Sequence, residues 1–237
     1  RALHMLLRNK RFQGWIGGSF FEWLGIDIVS RFEMLSLSFH KDWEKLKILR
    51  RARRERRSMV TNQEMFILHS LATSLKEVPG DFAEVGLFQG STAKVICEAK
   101  GDKAFHLCDT FEGLPEPNES EKMIEKKGRF ACSLESIQKY LGAYPNLHYH
   151  KGFCPESIRG VLDDTRFCLV HLDVDLYEST KQCLEYFWPR LVPGGVVISH
   201  DFSILEGVRD AFREFSENTR EKIIELPTTQ CMMIKTS

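Results

Sequence analysis

Acidic and imidazole side chains follow two apolar runs of the sequence, and these residues are well suited to chemistry. Asp173 and Asp175 come directly after RFCLVHL (166–172), and His200 and Asp201 come directly after VVIS. If the two runs are neighbouring strands, Asp173, His200 and Asp201 converge and can bind one divalent cation. Carboxylate ligands suit Mg²⁺ or Mn²⁺. An imidazole ligand makes the preference of the site for these ions less strict. The alternative is that Asp173 only contacts a cofactor and Asp201 only caps a helix.

A glycine turn follows another apolar run, in AEVGLFQGST (83–92). The glycines allow a tight turn and a close approach of the backbone to a ligand. A helix that starts near Ser91 can receive a carboxylate at its N-terminus. The dinucleotide pattern G-x-G-x-x-G is absent, and Glu84 stands two positions before Gly86. An acid there suits a ligand with an ammonium group, such as the amino-acid end of S-adenosylmethionine, better than it suits a pyrophosphate.

Two further runs end in residues that suit a nucleoside. Asp109 ends the run KAFHLCD, and an acid at this place can hold a ribose diol, although it can also cap a helix or stay solvated. Gly152 and Phe153 end the run NLHYHKGF. Gly152 permits close approach, and Phe153 either flanks an adenine ring or packs in the core.

These side chains can meet only in a fold that brings the ends of the apolar runs close together. The sequence has the pattern of such a fold. Short apolar strands alternate with helices, which predicts an α/β fold, doubly wound, with a mainly parallel sheet that binds ligands at the carboxyl ends of its strands. The predicted strands are 81–88, 103–111, 146–153, 166–175, 196–202, 222–227 and 230–236. The predicted helices are 61–78, 91–101, 134–144, 154–162, 177–191 and 206–218, with a tight turn at 193–195. The polar segment 112–130 is a predicted loop of a length that suits a lid.

Residues 1–57 differ from this pattern and predict an N-terminal helical extension ahead of a domain at 58–237. The extension could cover the site or form a homodimer contact. Trp15, Phe20, Phe21 and Trp23 would supply apolar surface for that contact.

Composition excludes some classes of protein. Lys plus Arg equals Asp plus Glu, 33 each, which argues against a nucleic-acid-binding protein. The basic run RRARRERR (50–57) predicts a solvated helix face, or else contact with an anionic substrate, a membrane surface or RNA. The seven cysteines have no CxxC spacing and predict reduced, buried thiols in a cytoplasmic protein. Apolar runs of about 18 residues and a signal-peptide pattern are both absent, so no membrane span is expected.

Five motifs together resemble the macrocin O-methyltransferase family of macrolide-antibiotic biosynthesis over about residues 60–235. They are DFAEVGLFQGST, DTFEGLPEP, HLDVDLYEST, PRLVPGG and the strand that ends in HDF. The resemblance implies a class I methyltransferase with a seven-strand sheet that uses S-adenosylmethionine and is assisted by Mg²⁺. In place of the two adjacent acids that are frequent in the family, this chain has His200 and Asp201.

The resemblance also implies roles for individual residues. Glu84 and Gly86 would line the methionine end of the cofactor, and Asp109 would hold the ribose. Asp173 would bind the metal or the cofactor, Asp201 would be a second metal ligand, and His200 would be a third ligand or a general base. The full predicted cofactor set is Glu84, Gly86, Phe88, Gly90, Ser91, Thr92, Asp109, Thr110, Phe111, Gly152, Phe153 and Asp173.

Methyl transfer from a sulfonium to a hydroxyl requires the acceptor to be positioned and to lose a proton. A metal at Asp173, Asp201 and His200 would lower the pKa of the hydroxyl. Otherwise His200 or Asp175 would accept the proton. The expected acceptor is a small molecule, a sugar or a secondary metabolite. The alternatives are an N-methyltransferase, a nicotinamide-dependent reductase or a non-catalytic binding protein on the same fold.

Overall fold

A computed structural model describes residues 14, 15, 17 and 19–237 of the chain. The helices are α1 (Phe20–Ser38), α2 (Trp43–Glu55), α3 (Asn62–Leu75), α4 (Ser91–Cys97), α5 (Leu134–Leu141), α6 (Tyr177–Phe187) and α7 (Glu206–Glu217). The strands are β1 (Asp81–Val85), β2 (Phe105–Asp109), β3 (Leu147–Lys151), β4 (Phe167–Leu172), β5 (Leu191–Ser199), β6 (Ile224–Glu225) and β7 (Cys231–Ile234).

The strands form one seven-stranded sheet in the order β3-β2-β1-β4-β5-β7-β6. Strands β1 to β5 are parallel to one another, while β7 is antiparallel to both β5 and β6. Chain order runs outward from β1 to β3 on one side and from β4 to β5 on the other. The carboxyl ends of β1 and β4 therefore form a topological switch point, where open α/β sheets bind ligands. The predicted mainly parallel, doubly wound α/β fold is confirmed.

The sheet is held between two apolar layers. Val170 and Leu172 of β4 belong to the cluster on one face, and Leu169 belongs to the cluster on the other. All six residues of β4 are buried, as expected for a parallel strand covered on both faces.

Two predicted elements are wrong. The segment 154–162, predicted as a helix, holds only a single 3₁₀ turn at Glu156–Ile158. The predicted tight turn at 193–195 lies inside β5. There Gly194 N–H donates to the carbonyl of Lys235, and Lys235 N–H donates to that of Gly195, with N···O distances of 2.7 and 2.9 Å. Pairing with the distant C-terminal segment thus extends a strand that local turn residues would have interrupted.

Part of the predicted N-terminal extension is helical, since α1 and α2 lie within it; residues 1–13, 16 and 18 fall outside the described residues. The side chain of Asp42 caps α2 by accepting from two backbone N–H groups. Both helices share a buried cluster with α3 and α4, so they pack directly on the sheet-bearing part of the chain. Its members are Met34, Leu37, Leu46, Leu49, Ala52, Val60, Met65 and Val95.

Some arginines of the basic run 50–57 face solvent, and others make hydrogen bonds to other segments of the chain. Arg51 and Arg54 are exposed. Arg56, in contrast, donates to the side chain and the carbonyl of Ser136, and Arg57 donates to the carbonyl of Ser19. The run therefore serves largely to fasten α2 to its surroundings.

Helix α1 carries an exposed apolar stripe. Its members follow one another at intervals of three or four residues, which places them on one face of a helix. They are Phe21, Leu24, Ile28, Phe32, Leu35 and, just beyond the helix, Phe39. Trp15 and Phe20 are exposed as well, whereas Trp23 is half-buried. None of the described helices is long and apolar enough to cross a membrane.

The shared cluster predicts that α2 unfolds together with the sheet. Leu49 is fully buried in it, and Leu35 is 59% exposed. We expect Leu49→Ala to lower the free energy of unfolding in a urea titration by about 2–5 kcal/mol, because it leaves a cavity. The control Leu35→Ala should change it by less than about 0.5 kcal/mol. Equal, small effects of the two substitutions would show that α2 lies outside the cooperative unit.

Candidate active site

A cleft opens at the carboxyl ends of β1, β2, β4 and β5, and it contains about 890 Å³ of space, including the part open to solvent. Most of the side chains that the sequence singles out line it. These are Gly86, Phe88, Ser91, Thr92, Asp109, Thr110, Gly152, Phe153, Asp173, Asp175, His200 and Asp201. Three predicted residues, Glu84, Gly90 and Phe111, do not line the cleft.

The turn after β1 brings two strand ends into contact. Gly86 has a φ of 87°, a left-handed conformation that favours glycine. A Cβ atom on Gly86 would overlap the carbonyl oxygen of Asp173. The missing side chain thus lets the β1 turn and the end of β4 lie against each other. Gly90 contributes from behind the cleft wall, as the N-cap residue of α4.

Asp109 fastens two loops together at the end of β2. One carboxylate oxygen accepts from Leu87 N–H and the other from Phe111 N–H, each at an N···O distance of 2.6 Å. Burial raises the pKa of Asp109 above its ordinary value, although these backbone donors oppose the shift. Asp109 also lines the cleft, so the carboxylate that fastens the two loops borders the space open to a ligand.

Glu84 lies beneath the cleft rather than in it. Its carboxylate pairs with His171 of β4, with 2.9 Å between Oε1 and Nδ1, and both side chains are fully buried. The second oxygen of Glu84 and Nε2 of His171 have no hydrogen-bond partner among the described residues. The acid before the glycine turn therefore joins β1 to β4, and its direct contact with a ligand stays a prediction.

Asp173, His200 and Asp201 meet at the adjacent ends of β4 and β5, as the sequence predicts. One potential ligand atom from each lies within 4.8 Å of the other two. His200 Nδ1 is 3.4 Å from Oδ1 of Asp173 and 3.1 Å from Oδ1 of Asp201. Burial by itself would lower the pKa of His200. The surrounding carboxylates, Asp201, Asp173 and Glu64, outweigh burial and hold the pKa well above its ordinary value.

Glu64 is a site residue that the sequence interpretation missed. It lies on α3, and its Oε2 is 3.3 Å from His200 Nε2. Its pKa is lowered, because the His200 charge and hydrogen bonds outweigh burial. The signal available in the sequence was a capping box, Thr61-x-x-Glu64, which predicts a helix start and nothing more.

The segment 112–130 forms one wall of the cleft, through Gly113, Leu114, Pro115, Arg129 and Phe130. Its two ends are joined by backbone hydrogen bonds between Leu114 and the pair Gly128 and Arg129. Phe130 meets Phe88 edge to face, with 5.4 Å between ring centroids. These contacts make the segment, called the lid below, a wall of the cleft, and its closure over an acceptor stays a prediction.

The lid also brings acids to a second depression beside the cleft. Glu121 accepts from the backbone N–H of Tyr177 at 2.7 Å and so holds the lid against the start of α6. Glu125 pairs with Arg129 at 3.0 Å, and burial raises the pKa of Glu125 to about 7 against the pull of that arginine. Burial, followed by repulsion from Glu125, Asp201 and Asp173, raises the pKa of Asp175 well above its ordinary value.

Backbone strain concentrates at the cleft. Within the described ranges, six non-glycine residues have left-handed backbone. Four of them, Phe88, Phe130, Asp175 and Asp201, line the cleft. Such conformations cost on the order of 1–3 kcal/mol each and persist where the surroundings enforce them, which is common at functional sites.

All seven cysteines are free thiols, as predicted. Cys108 and Cys154 are buried and lie in the cleft wall. Burial raises the pKa of Cys97 to about 12, which makes that thiol unreactive.

The sheet order, the glycine turn after β1 and the acids at the ends of β2, β4 and β5 define a Rossmann-like class I methyltransferase fold. Two solved structures share it. The O-methyltransferase NovP has a TM-score of 0.67 at 20% identity, over 76% of this chain and 82% of its own. The calicheamicin methyltransferase CalS11 has a TM-score of 0.63 at 20% identity, over 82% and 94%.

Within that class, the family model of macrocin O-methyltransferase (TylF) matches residues 41–231, and the chain belongs to this family. The match includes α2, while the predicted domain boundary at 57/58 stays a prediction.

The chain is similar in sequence to relatives of known name, including two O-methyltransferases. The first is the 8-demethyl-8-(2,3-dimethoxy-alpha-L-rhamnosyl)-tetracenomycin-C 4'-O-methyltransferase of Streptomyces olivaceus. It is 33% identical over 153 residues, and the match covers 58% of this chain and only 58% of that relative. The second is the mycinamicin III 3''-O-methyltransferase of Micromonospora griseorubida. It is 26% identical over 178 residues, or 67% of this chain and 70% of the relative.

The contact between Gly86 and Asp173 predicts a large difference between two left-handed glycines. Gly101 has a φ of 61°, and a Cβ there would meet nothing within 4 Å. We expect Gly101→Ala to cost only backbone strain, about 1 kcal/mol of unfolding free energy. Gly86→Ala should cost several times more, because it also forces β4 away from β1. Similar losses in denaturant titrations would mean that the close approach at Gly86 is not needed for folding.

Proposed function

We propose that this protein transfers a methyl group from S-adenosylmethionine to a hydroxyl group of a small molecule, a sugar or a secondary metabolite, with help from a divalent cation. One observation carries the proposal. A glycine turn and an acid that suit a nucleoside share a single cleft with an Asp-His-Asp cluster that suits a cation. Both relatives are named as O-methyltransferases, one of a rhamnosyl-tetracenomycin and one of mycinamicin III, and these names support the choice of a hydroxyl acceptor.

The cofactor would lie across the ends of β1, β2 and β3. Asp109 would accept hydrogen bonds from the ribose, and Phe153 would flank the adenine. The turn at Gly86, with Ser91 and Thr92, would receive the methionine end. Glu84 would act indirectly, by holding this turn to β4 through His171.

Asp173, His200 and Asp201 would hold the cation, and the fit rests on their geometry. Three ligand atoms within 4.8 Å of one another, two of them carboxylate oxygens, match the donors that such ions take. When bound, the cation would lower the pKa of the acceptor hydroxyl and orient it.

Asp175 suits the role of proton acceptor better than His200 does. Asp175 lies where the cleft meets a second depression that is bounded by Glu125, Leu205 and Gly207. Burial and the neighbouring acids raise the pKa of Asp175, which makes its carboxylate a stronger base. A His200 that holds the cation through the nitrogen facing the cleft has no lone pair left there to accept the proton.

Two further predictions belong to this proposal. A homodimer would cover the exposed apolar stripe on α1, since patches of this kind mark interaction surfaces. Location in the cytoplasm stays a prediction that rests on the free thiols.

Calorimetric titration with S-adenosylhomocysteine tests the cofactor. We expect binding, and we expect Asp109→Asn to weaken it about 10- to 100-fold, because one charged acceptor for the ribose is lost. The exposed Asp102, on the loop before β2, provides the control: Asp102→Asn should leave the affinity unchanged. Binding of a nicotinamide dinucleotide in place of S-adenosylhomocysteine would favour a reductase and contradict the proposal.

Titration of the metal-free protein with Mn²⁺, followed by electron paramagnetic resonance, tests the cation site. Asp173→Asn and Asp201→Asn should each weaken binding at least about tenfold, because each removes a charged ligand. Asp102→Asn should again have no effect. Unchanged Mn²⁺ affinity in both site variants would rule out this cluster as the cation site.

A further inference from the structure

Both nitrogens of the His200 ring face carboxylates from different elements. Nδ1 faces Asp173 and Asp201 in the cleft, at 3.4 and 3.1 Å. Nε2 faces Glu64 of α3, at 3.3 Å. His200 is 6% exposed, so little of the residue is open to solvent. The imidazole is therefore held in one orientation, with Nδ1 toward the cleft.

Glu64 is itself fixed from several sides. Its Oε1 accepts from the backbone N–H and the hydroxyl of Thr229, at 3.1 and 2.5 Å. Its Oε2 accepts from Thr61 N–H at 2.8 Å, in addition to facing His200. Glu64 is 1% exposed and does not line the cleft, so His200 is the residue through which it would touch the ion site.

We propose that Glu64 is a positioning residue that presents His200 Nδ1 as a nitrogen ligand. We further propose that the resulting set of two carboxylates and one imidazole selects a first-row transition-metal ion, such as Mn²⁺ or Co²⁺, over Mg²⁺. The inference rests on the proposed cation site and specifies which ion it takes. It departs from the Mg²⁺ that resemblance to the family implies.

The chemistry of the ligands supports the selection. Mg²⁺ takes oxygen ligands and keeps several waters, whereas imidazole suits transition ions. A histidine that ligates a metal through one nitrogen normally donates its other N–H to a carboxylate or carbonyl, which sets the tautomer and raises the basicity of the ligand. Glu64 occupies that second position. A site of three carboxylates would lack this preference.

A purely structural role for Glu64 is the competing explanation, because Glu64 also caps α3 and binds Thr229. The two explanations differ in what they predict for metal selectivity. Loss of a cap or of a loop contact would lower stability but would leave the ratio of Mn²⁺ to Mg²⁺ affinity unchanged.

The test uses the full chain, stripped of metal, titrated with Mn²⁺ alone and in competition with Mg²⁺. We expect wild-type protein to bind Mn²⁺ at least about tenfold more tightly than Mg²⁺. Its spin-echo spectrum should show modulation from a directly bound ¹⁴N. His200→Asp should abolish that modulation and reduce the Mn²⁺ preference.

Glu64→Gln should weaken Mn²⁺ binding by about 10- to 100-fold, the usual range for a residue that orients a metal ligand, and should lower the Mn²⁺ to Mg²⁺ ratio. In the His200→Asp background the same change should not weaken binding, because it removes a carboxylate that no longer orients an imidazole. Thr229→Val removes a hydrogen bond to Glu64 and should weaken Mn²⁺ binding by a smaller factor. This variant replaces Glu64→Gln if Glu64→Gln does not fold.

Thr61→Ala is the matched control, since it removes the other half of the capping box without touching His200. It should lower the thermal midpoint and leave both metal affinities unchanged. The proposal is overturned if wild-type protein binds Mn²⁺ without ¹⁴N modulation, or if Glu64→Gln and Thr61→Ala behave alike. Calorimetry with S-adenosylhomocysteine on the same samples separates the two failures. If wild-type protein binds S-adenosylhomocysteine, the methyltransferase proposal stands even when the metal proposal fails. If wild-type protein does not bind it, both proposals fail.

Discussion

One buried imidazole among three carboxylates is the constraint around which the site is arranged. His200 is flanked by Asp173, Asp201 and Glu64, which come from the ends of β4 and β5 and from α3. Buried charges are costly unless they are paired. Separating one of these elements from the others would leave a buried charge without its partner. The side chains that could hold a cation therefore also connect the carboxyl ends of β4 and β5 to helix α3.

The parallel sheet makes this convergence possible. Its order reverses between β1 and β4, so the glycine turn of one strand lies directly against the carbonyl of Asp173 on the other. Asp173 is consequently shared, since it faces His200 on one side and borders the turn at Gly86 on the other. A ligand in the turn and an ion at the cluster would therefore be neighbours.

The departures from the sequence interpretation have a common cause. Glu84, the acid before the glycine turn, is expected from sequence to face a ligand, and in the structure it pairs with His171 on the adjacent strand. Pro193, Gly194 and Gly195 have turn chemistry, but the distant C-terminal segment pairs with them and extends β5. In both cases a contact made across the sheet outweighed a local preference, because burial rewards pairing of polar groups wherever a partner is supplied.

Local patterns in the sequence determined the fold class and most of the cleft. Apolar runs that alternate with helices predict a parallel sheet, and polar residues at the ends of those runs must then meet, which correctly brought together Asp109, Asp173, His200 and Asp201. Only the tertiary structure decided the orientation of these groups. The partner of His200 lies 136 positions away, in a capping box that has a complete local explanation. Periodicity and turn residues describe neighbours along the chain, whereas the direction of a buried side chain depends on charges that folding brings from elsewhere.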